Sequence, residues 1–169
     1  MAKNILIIGV PGSGKTTLVH RVIENYSGLA GGFYTQEIRQ KRAREGFKIV
    51  TLDGEQATLA HVDIKSPVKV SKYGVDMSTL DKFAVKAIQT AIDLGGLIVI
   101  DEIGPMEIAS PRFREALTKS LEGDSNVLAT ITKRSTSFAD EIKSRPDVTL
   151  IEVTRDNRDH LVGVILDML

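Results

Sequence analysis

The chain contains no cysteine. It therefore holds no disulfide framework, no thiolate zinc site, no iron–sulfur ligation and no cysteine nucleophile. It also lacks a net charge, with 22 basic and 22 acidic side chains among 169 residues. Sequence-blind nucleic-acid coats draw their affinity from excess Lys and Arg on phosphates, so that class is excluded and nucleic acid is not an expected partner. Long apolar runs are missing as well. Ile5 to Ile8 is too short for a signal h-region, and nothing approaches the roughly 20 apolar residues of a membrane span. A soluble, cytoplasmic chain without a membrane partner is expected, with a monomer as the default. His20, His61 and His160 are isolated, which favours structural or surface roles over metal ligation. What remains is ordinary: 42% hydrophobic and 26% charged residues, at a length suited to one domain over residues 1–169.

Ile5-Leu6-Ile7-Ile8 is a continuous apolar, β-branched run closing on Gly9, which reads as a strand buried on both faces of a parallel sheet. Apolar residues at helical spacing follow from Thr17 to Ile23. Residues 31–61 change character: short strand-like runs around Phe33 and Phe47, then Thr58-Leu59-Ala60 after an Asp53-Gly54 turn signal, predict an antiparallel insertion. Leu80, Phe83, Ala84, Ala87, Ile88 and Ala91 repeat at steps of three and four and predict a helix. Ser78 and Asp81 read as its capping box and Gly95-Gly96 as its end. Leu97–Ile100, Val127–Ile131 and Val148–Val153 are further strands. Helices are expected from Pro111, near Ser137 to Ser144, and from about Asn157 to Met168. Strands alternating with helices imply an α/β, three-layer fold with a mostly parallel, doubly wound sheet.

Gly9-Val10-Pro11-Gly12-Ser13-Gly14-Lys15-Thr16 matches the phosphate-loop pattern G-x-x-x-x-G-K-[ST] at every fixed position, between a strand and a helix as its mechanism requires. Glycines let the backbone curl so that consecutive N–H groups and the helix N-terminus point at phosphate oxygens. Lys15 would reach the β- and γ-phosphates, and Thr16 would offer its hydroxyl to Mg²⁺. Leu97 to Ile100 closing on Asp101-Glu102 fits a Walker B strand, with Asp101 beside Mg²⁺ and Glu102 placed to take a proton from an attacking water. Catalysis is thus expected from Glu102 and Lys15, nucleotide binding from residues 9–17 and 101–104 (Thr17, Ile103 and Gly104 included), and metal binding from Thr16 and Asp101. The long separation of Lys15 from Asp101 points to a RecA-like order, in which a further strand lies between the two motif strands. Val127–Ile131 is the candidate, with Thr132 at its end as a probe of the γ-phosphate.

Gly9-x-Pro11-Gly12-x-Gly14-Lys15-Thr16-Thr17, Gly32-Phe33-Tyr34-Thr35-x-Glu37-Ile38-Arg39, Gly46-Phe47, Tyr73-Gly74-Val75-Asp76 and Asp101-Glu102-Ile103-Gly104-x-Met106-Glu107 together resemble the thermophile and cancer-related nucleoside-triphosphatase family. The likeness runs to Asn157-Arg158-Asp159. It implies a phosphate-loop hydrolase of ATP, GTP and other nucleoside triphosphates with relaxed base preference. The chain departs from the family pattern at Ser71, where glycine is common, and at Pro105, where lysine is usual; both lie outside the phosphate loop and the Asp-Glu pair.

Arginines near a γ-phosphate speed its transfer, and Arg134, Arg155 and Arg158 are the candidates. Glu37 and Arg39 are candidates for the substrate mouth. Arg39 to Arg44 holds four basic residues in six and reads most simply as a solvated hairpin tip, with a phosphate or nucleic-acid contact as the alternative; the run has no interleaved aromatics to support single-strand binding. Two other functions fit a phosphate loop. A small-molecule or nucleotide kinase would need an acceptor pocket, and a nucleotide-gated switch of the guanine type would need an Asn-Lys-x-Asp reader, which Thr132-Lys133-Arg134-Ser135 lacks.

Overall fold

Consecutive residues of a strand point to opposite faces of its sheet, yet Ile5, Leu6 and Ile7 are all fully buried. Both faces must therefore be covered, and the computed structural model, which describes residues 3–169, shows how. In chain order the elements are β1 (Asn4–Ile8), α1 (Lys15–Asn25), β2 (Ala30–Gln40), β3 (Ala43–Thr51), β4 (Gln56–His61), β5 (Lys69–Val70) and β6 (Tyr73–Val75). Then come α2 (Met77–Thr79), a π-helical turn over Leu80–Val85, α3 (Lys86–Leu94), β7 (Leu97–Ile103) and α4 (Pro105–Ile108). α5 (Pro111–Glu122), β8 (Val127–Ile131), α6 (Ser137–Lys143), β9 (Val148–Glu152) and α7 (Arg158–Met168) complete the chain. Leu6, Ile98, Ile100 and Ala129 face one core with α3 and α5, while Ile5, Ile7, Val99 and Leu128 face another with α1 and α7. The result is three layers, helices on both sides of one sheet. Among the described residues no helix is long and apolar enough to cross a membrane.

The sheet has nine strands in the order β5-β6-β4-β3-β2-β7-β8-β1-β9. It is mixed rather than mostly parallel. From β2 to β9 all pairings are parallel, and from β2 to β5 all are antiparallel. The apolar runs form the parallel half, with β8 between β1 and β7. The antiparallel half begins as predicted around Phe33 but runs on past His61, because β5 and β6 add a further hairpin at its edge. Two- and three-residue strands carry too little alternation to be read from sequence. β2 belongs to both halves: Phe33 pairs with Ile100 on one side and Thr51 on the other, and Tyr34 with Asp101 and Val50.

Local chemistry shifts one helix start. The cap of the helix after β6 is Asp76, whose carboxylate accepts from the Thr79 N–H at 3.0 Å, and not Ser78. Asp76 has the extended backbone a cap requires, and Asp81, expected to complete a capping box, instead accepts from Ser110 Oγ at 2.7 Å. That same Ser110 caps α5 by accepting from the Phe113 N–H at 3.1 Å. α4 is a single turn that the sequence pattern did not show.

Candidate functional site

The phosphate loop leaves the end of β1 and enters α1 with Gly12 at φ 78° and Gly14 at φ 99°. Only glycine adopts this left-handed backbone without strain. Gly14 caps α1 with no side chain, so the first-turn N–H groups, together with the helix dipole, face outward for an anion. Gly9 answers a different need: a Cβ there would lie 2.5 Å from Ser13 Oγ and 2.9 Å from the Val153 carbonyl. Lys15 Nζ donates to the Gly9 carbonyl at 2.8 Å, bent back across the loop. Ser13 is buried and its Oγ has no partner.

Asp101 and Glu102 sit where β7 leaves its regular register with β8, and the peptide between them is cis. Asp101 Oδ1 accepts from Thr130 Oγ1 at 2.6 Å, whereas Oδ2 is buried without a partner. Burial pushes the Asp101 carboxyl above its ordinary range; the Thr130 and Thr16 hydroxyls and the charges of His20 and Lys15 pull the other way. Glu102 is raised as well, by burial and by the neighbouring Asp101, against the pull of Lys15. Glu107 is more extreme. Buried in α4, with Oε2 accepting from the Gly104 N–H at 3.2 Å, it is pushed up to about 8 by burial and by Glu102. A Cβ on Gly104 would touch both acids, 2.7 Å from Glu102 Oε1 and 3.0 Å from Glu107 Oε2. The absence of that side chain lets the two carboxyls share one corner.

Loop, strand end and antiparallel half enclose a cavity of about 510 Å³. Lys15, Thr16, Thr17, Asp101 and Glu102 line it from the parallel half, and Thr35, Glu37, Arg44 and Phe47 from the antiparallel half. Arg44 is held in place: Nε donates to Tyr73 Oη at 3.0 Å, NH1 to Glu37 Oε1 at 3.1 Å, and the guanidinium lies over the Phe47 and Tyr73 rings. Burial works against the Glu37 carboxylate, yet hydrogen bonds from Arg39 and Arg44 outweigh it and hold its pKa below the ordinary range.

The candidates sort clearly. Of the three arginines, Arg158 reaches the cavity, with Cδ 2.9 Å and NH1 3.0 Å from where a Gly14 Cβ would stand. Arg155 lines a separate cleft against Val10, Pro11 and Ser13, and Arg134 is exposed elsewhere. Thr132 accepts from the Arg134 N–H at 3.1 Å within its own turn, while Thr130, two residues earlier, faces Asp101. Ile103 and Gly104 do not line the cavity: Ile103 is fully buried in the core and the Gly104 N–H is taken by Glu107. Glu37 does line it, and Arg39 serves as its ion-pair partner. Arg44 and Glu107 were visible only as members of a basic run and of a motif string. Spacing carries no sign that a hairpin folds back on a loop 30 residues away.

The donor set fits Mg²⁺. Asp101 Oδ2 is an orphaned buried oxygen, and the Thr16 hydroxyl stands beside the same carboxylate. Among the described residues no group of three His, Asp or Glu side chains is arranged to hold a metal ion by itself. Thr16 and Asp101 would hold Mg²⁺ together with phosphate oxygens.

A family model described as NTPase matches residues 4–166. The chain is 45% identical over 168 residues to the nucleoside-triphosphatase THEP1 of Thermotoga maritima, covering 98% of this chain and 94% of that one. It is 36% identical to the human cancer-related nucleoside-triphosphatase, covering 98% and 96% of the two chains. The crystal structure of THEP1 from Aquifex aeolicus superposes with a TM-score of 0.90 at 36% identity, over 98% of both chains.

Proposed function

The chain belongs to the NTPase family, and on that premise we propose that it is a Mg²⁺-dependent hydrolase of ATP, GTP and other nucleoside triphosphates. One observation carries the reading: a carboxylate with a raised pKa, Glu102, adjoins a partly unpartnered carboxylate, Asp101, at the mouth of a phosphate loop.

The loop N–H groups and Lys15 bind the β- and γ-phosphates. Thr16 and Asp101 would hold Mg²⁺, which when bound would neutralise phosphate charge. Glu102 accepts a proton from water as the water oxygen attacks phosphorus, and its raised pKa makes it a stronger base than a solvated carboxylate. Arg44 and Arg158 bring positive charge to the open side, facing the negative charge that develops as the γ-phosphoryl group is transferred. The position of β8 between β1 and β7, and the Thr130 bond to Asp101, support a RecA-like order with Glu after the Walker B Asp. Base tolerance is what the family resemblance implies, and the missing Asn-Lys-x-Asp reader speaks against guanine selectivity.

Phosphate release from ATP, GTP and CTP, with Mg²⁺ and with EDTA, tests the proposal. Comparable Mg²⁺-dependent rates on all three are expected; a hundredfold preference for one base, or full activity in EDTA, would overturn it.

A further inference from the structure

On the antiparallel side of Glu102 lies a second cavity of about 190 Å³. It shares Thr35, Arg44, Phe47 and Glu102 with the phosphate site. Its remaining wall is mostly apolar, from Leu59, Val70, Met106 and the Tyr73 ring. Phe47 and Tyr73 pack edge to face with centroids 5.3 Å apart along that wall. Hydrolysis needs room for one water, roughly 10–15 Å³ on such a measure, and an apolar cavity of about 150 Å³ already takes benzene. The space beside Glu102 is an order of magnitude larger than its assigned reaction demands.

We propose that this cavity is an acceptor site, which takes a small uncharged molecule with a ring-sized apolar body and presents its hydroxyl to Glu102 for phosphoryl transfer. The walls select against an anionic acceptor such as a nucleoside monophosphate. The Glu102 carboxylate faces the space, and the one arginine among the described lining residues, Arg44, is already bonded to Glu37 and Tyr73. The γ end of a triphosphate lies beside Glu102, so base and sugar leave the loop at its other end and do not compete for the cavity. In the transfer step the acceptor oxygen bonds to the γ-phosphorus as the bond to the β–γ bridging oxygen breaks. The nucleoside diphosphate departs with that electron pair, and the hydroxyl proton passes to the Glu102 carboxylate. No redox partner is needed. The inference rests on the Glu102 role given above, and water reacts when no alcohol fills the cavity.

Benzyl alcohol is the probe, added to the full chain with ATP and Mg²⁺, with products resolved by phosphorus NMR. Benzyl phosphate should appear at the expense of inorganic phosphate, its share rising and then saturating with alcohol. Val70→Phe fills the cavity from outside the catalytic set; it should return the product to inorganic phosphate while release without alcohol stays within about twofold. Val70→Leu, a milder change, should move the partition the same way by less, which guards against a misfolded first variant. Inorganic phosphate as the sole product at every alcohol concentration, or benzyl phosphate unchanged in both variants, overturns the acceptor site. Either result leaves the hydrolase standing, whereas absence of phosphate release without alcohol counts against the hydrolase alone.

Discussion

The two halves of the sheet reach the same cavity by different means. The parallel half delivers Asp101 and Glu102 from the end of the apolar run of β7, and Lys15 and Thr16 from the start of α1 after the loop that leaves β1, a strand whose residues are buried on both faces. The antiparallel half delivers Thr35, Glu37, Arg44 and Phe47 from two long hairpin strands with one solvated face, held by ion pairs and ring contacts rather than by burial. The first arrangement is set by burial. The second is set by polar and aromatic contacts on a solvated face.

Substitutions can sharpen or break that contrast. Glu102→Gln keeps the shape and loses the basic oxygen, so turnover should fall by about 10²–10⁴ while nucleotide affinity, read by titration, is retained. Full activity would move the base elsewhere. Arg44→Ala removes a charge that the antiparallel half supplies and should lower kcat by about 10² with a smaller change in KM. If KM rises and kcat does not, that half merely frames the site.

Glu107, at the seam, predicts a pH effect. Its pKa is raised from 4.5 to about 8 by burial, so between those values the folded chain holds a proton that the unfolded chain has released. Stability from this group is therefore lost as pH rises through that window. Glu107→Gln cannot ionise; its Tm should match the parent near pH 4.5 and exceed it by several degrees near pH 8. An unchanged difference across the range would refute the buried proton. The smallest effect is expected in the β5–β6 turn, where Ser71 has φ 54°. Ser71→Gly should gain up to about 1 kcal/mol in denaturant melts, the left-handed penalty of about 1–2 kcal/mol less the unfolded-chain entropy of glycine.

Legibility in the sequence follows the same divide. Buried strands and the loop between them announce themselves, because low dielectric on both faces admits only apolar residues and phosphate binding demands fixed glycines. The position of Asp101 could be read for that reason. Arg44 could not, since an arginine on a solvated strand looks the same whether it faces water or a bound phosphate. Thr132 stands out in the sequence because polar residues at strand ends are conspicuous, while Thr130, fully buried within an apolar run, reads as core. The departure at Ser71 is a further instance: the preference for glycine there is a backbone preference, visible once the turn is seen to need positive φ.

β2 is one unbroken strand bonded on both sides at Phe33 and Tyr34, and this bears on how the molecule comes apart. Neither half can melt while leaving the other intact, because the strand that ends one begins the other. Unfolding should therefore be a single cooperative transition. In hydrogen exchange the amides of Phe33 and Tyr34 should open only with the whole molecule, and those around Lys41 and Arg42, at the hairpin tip, long before.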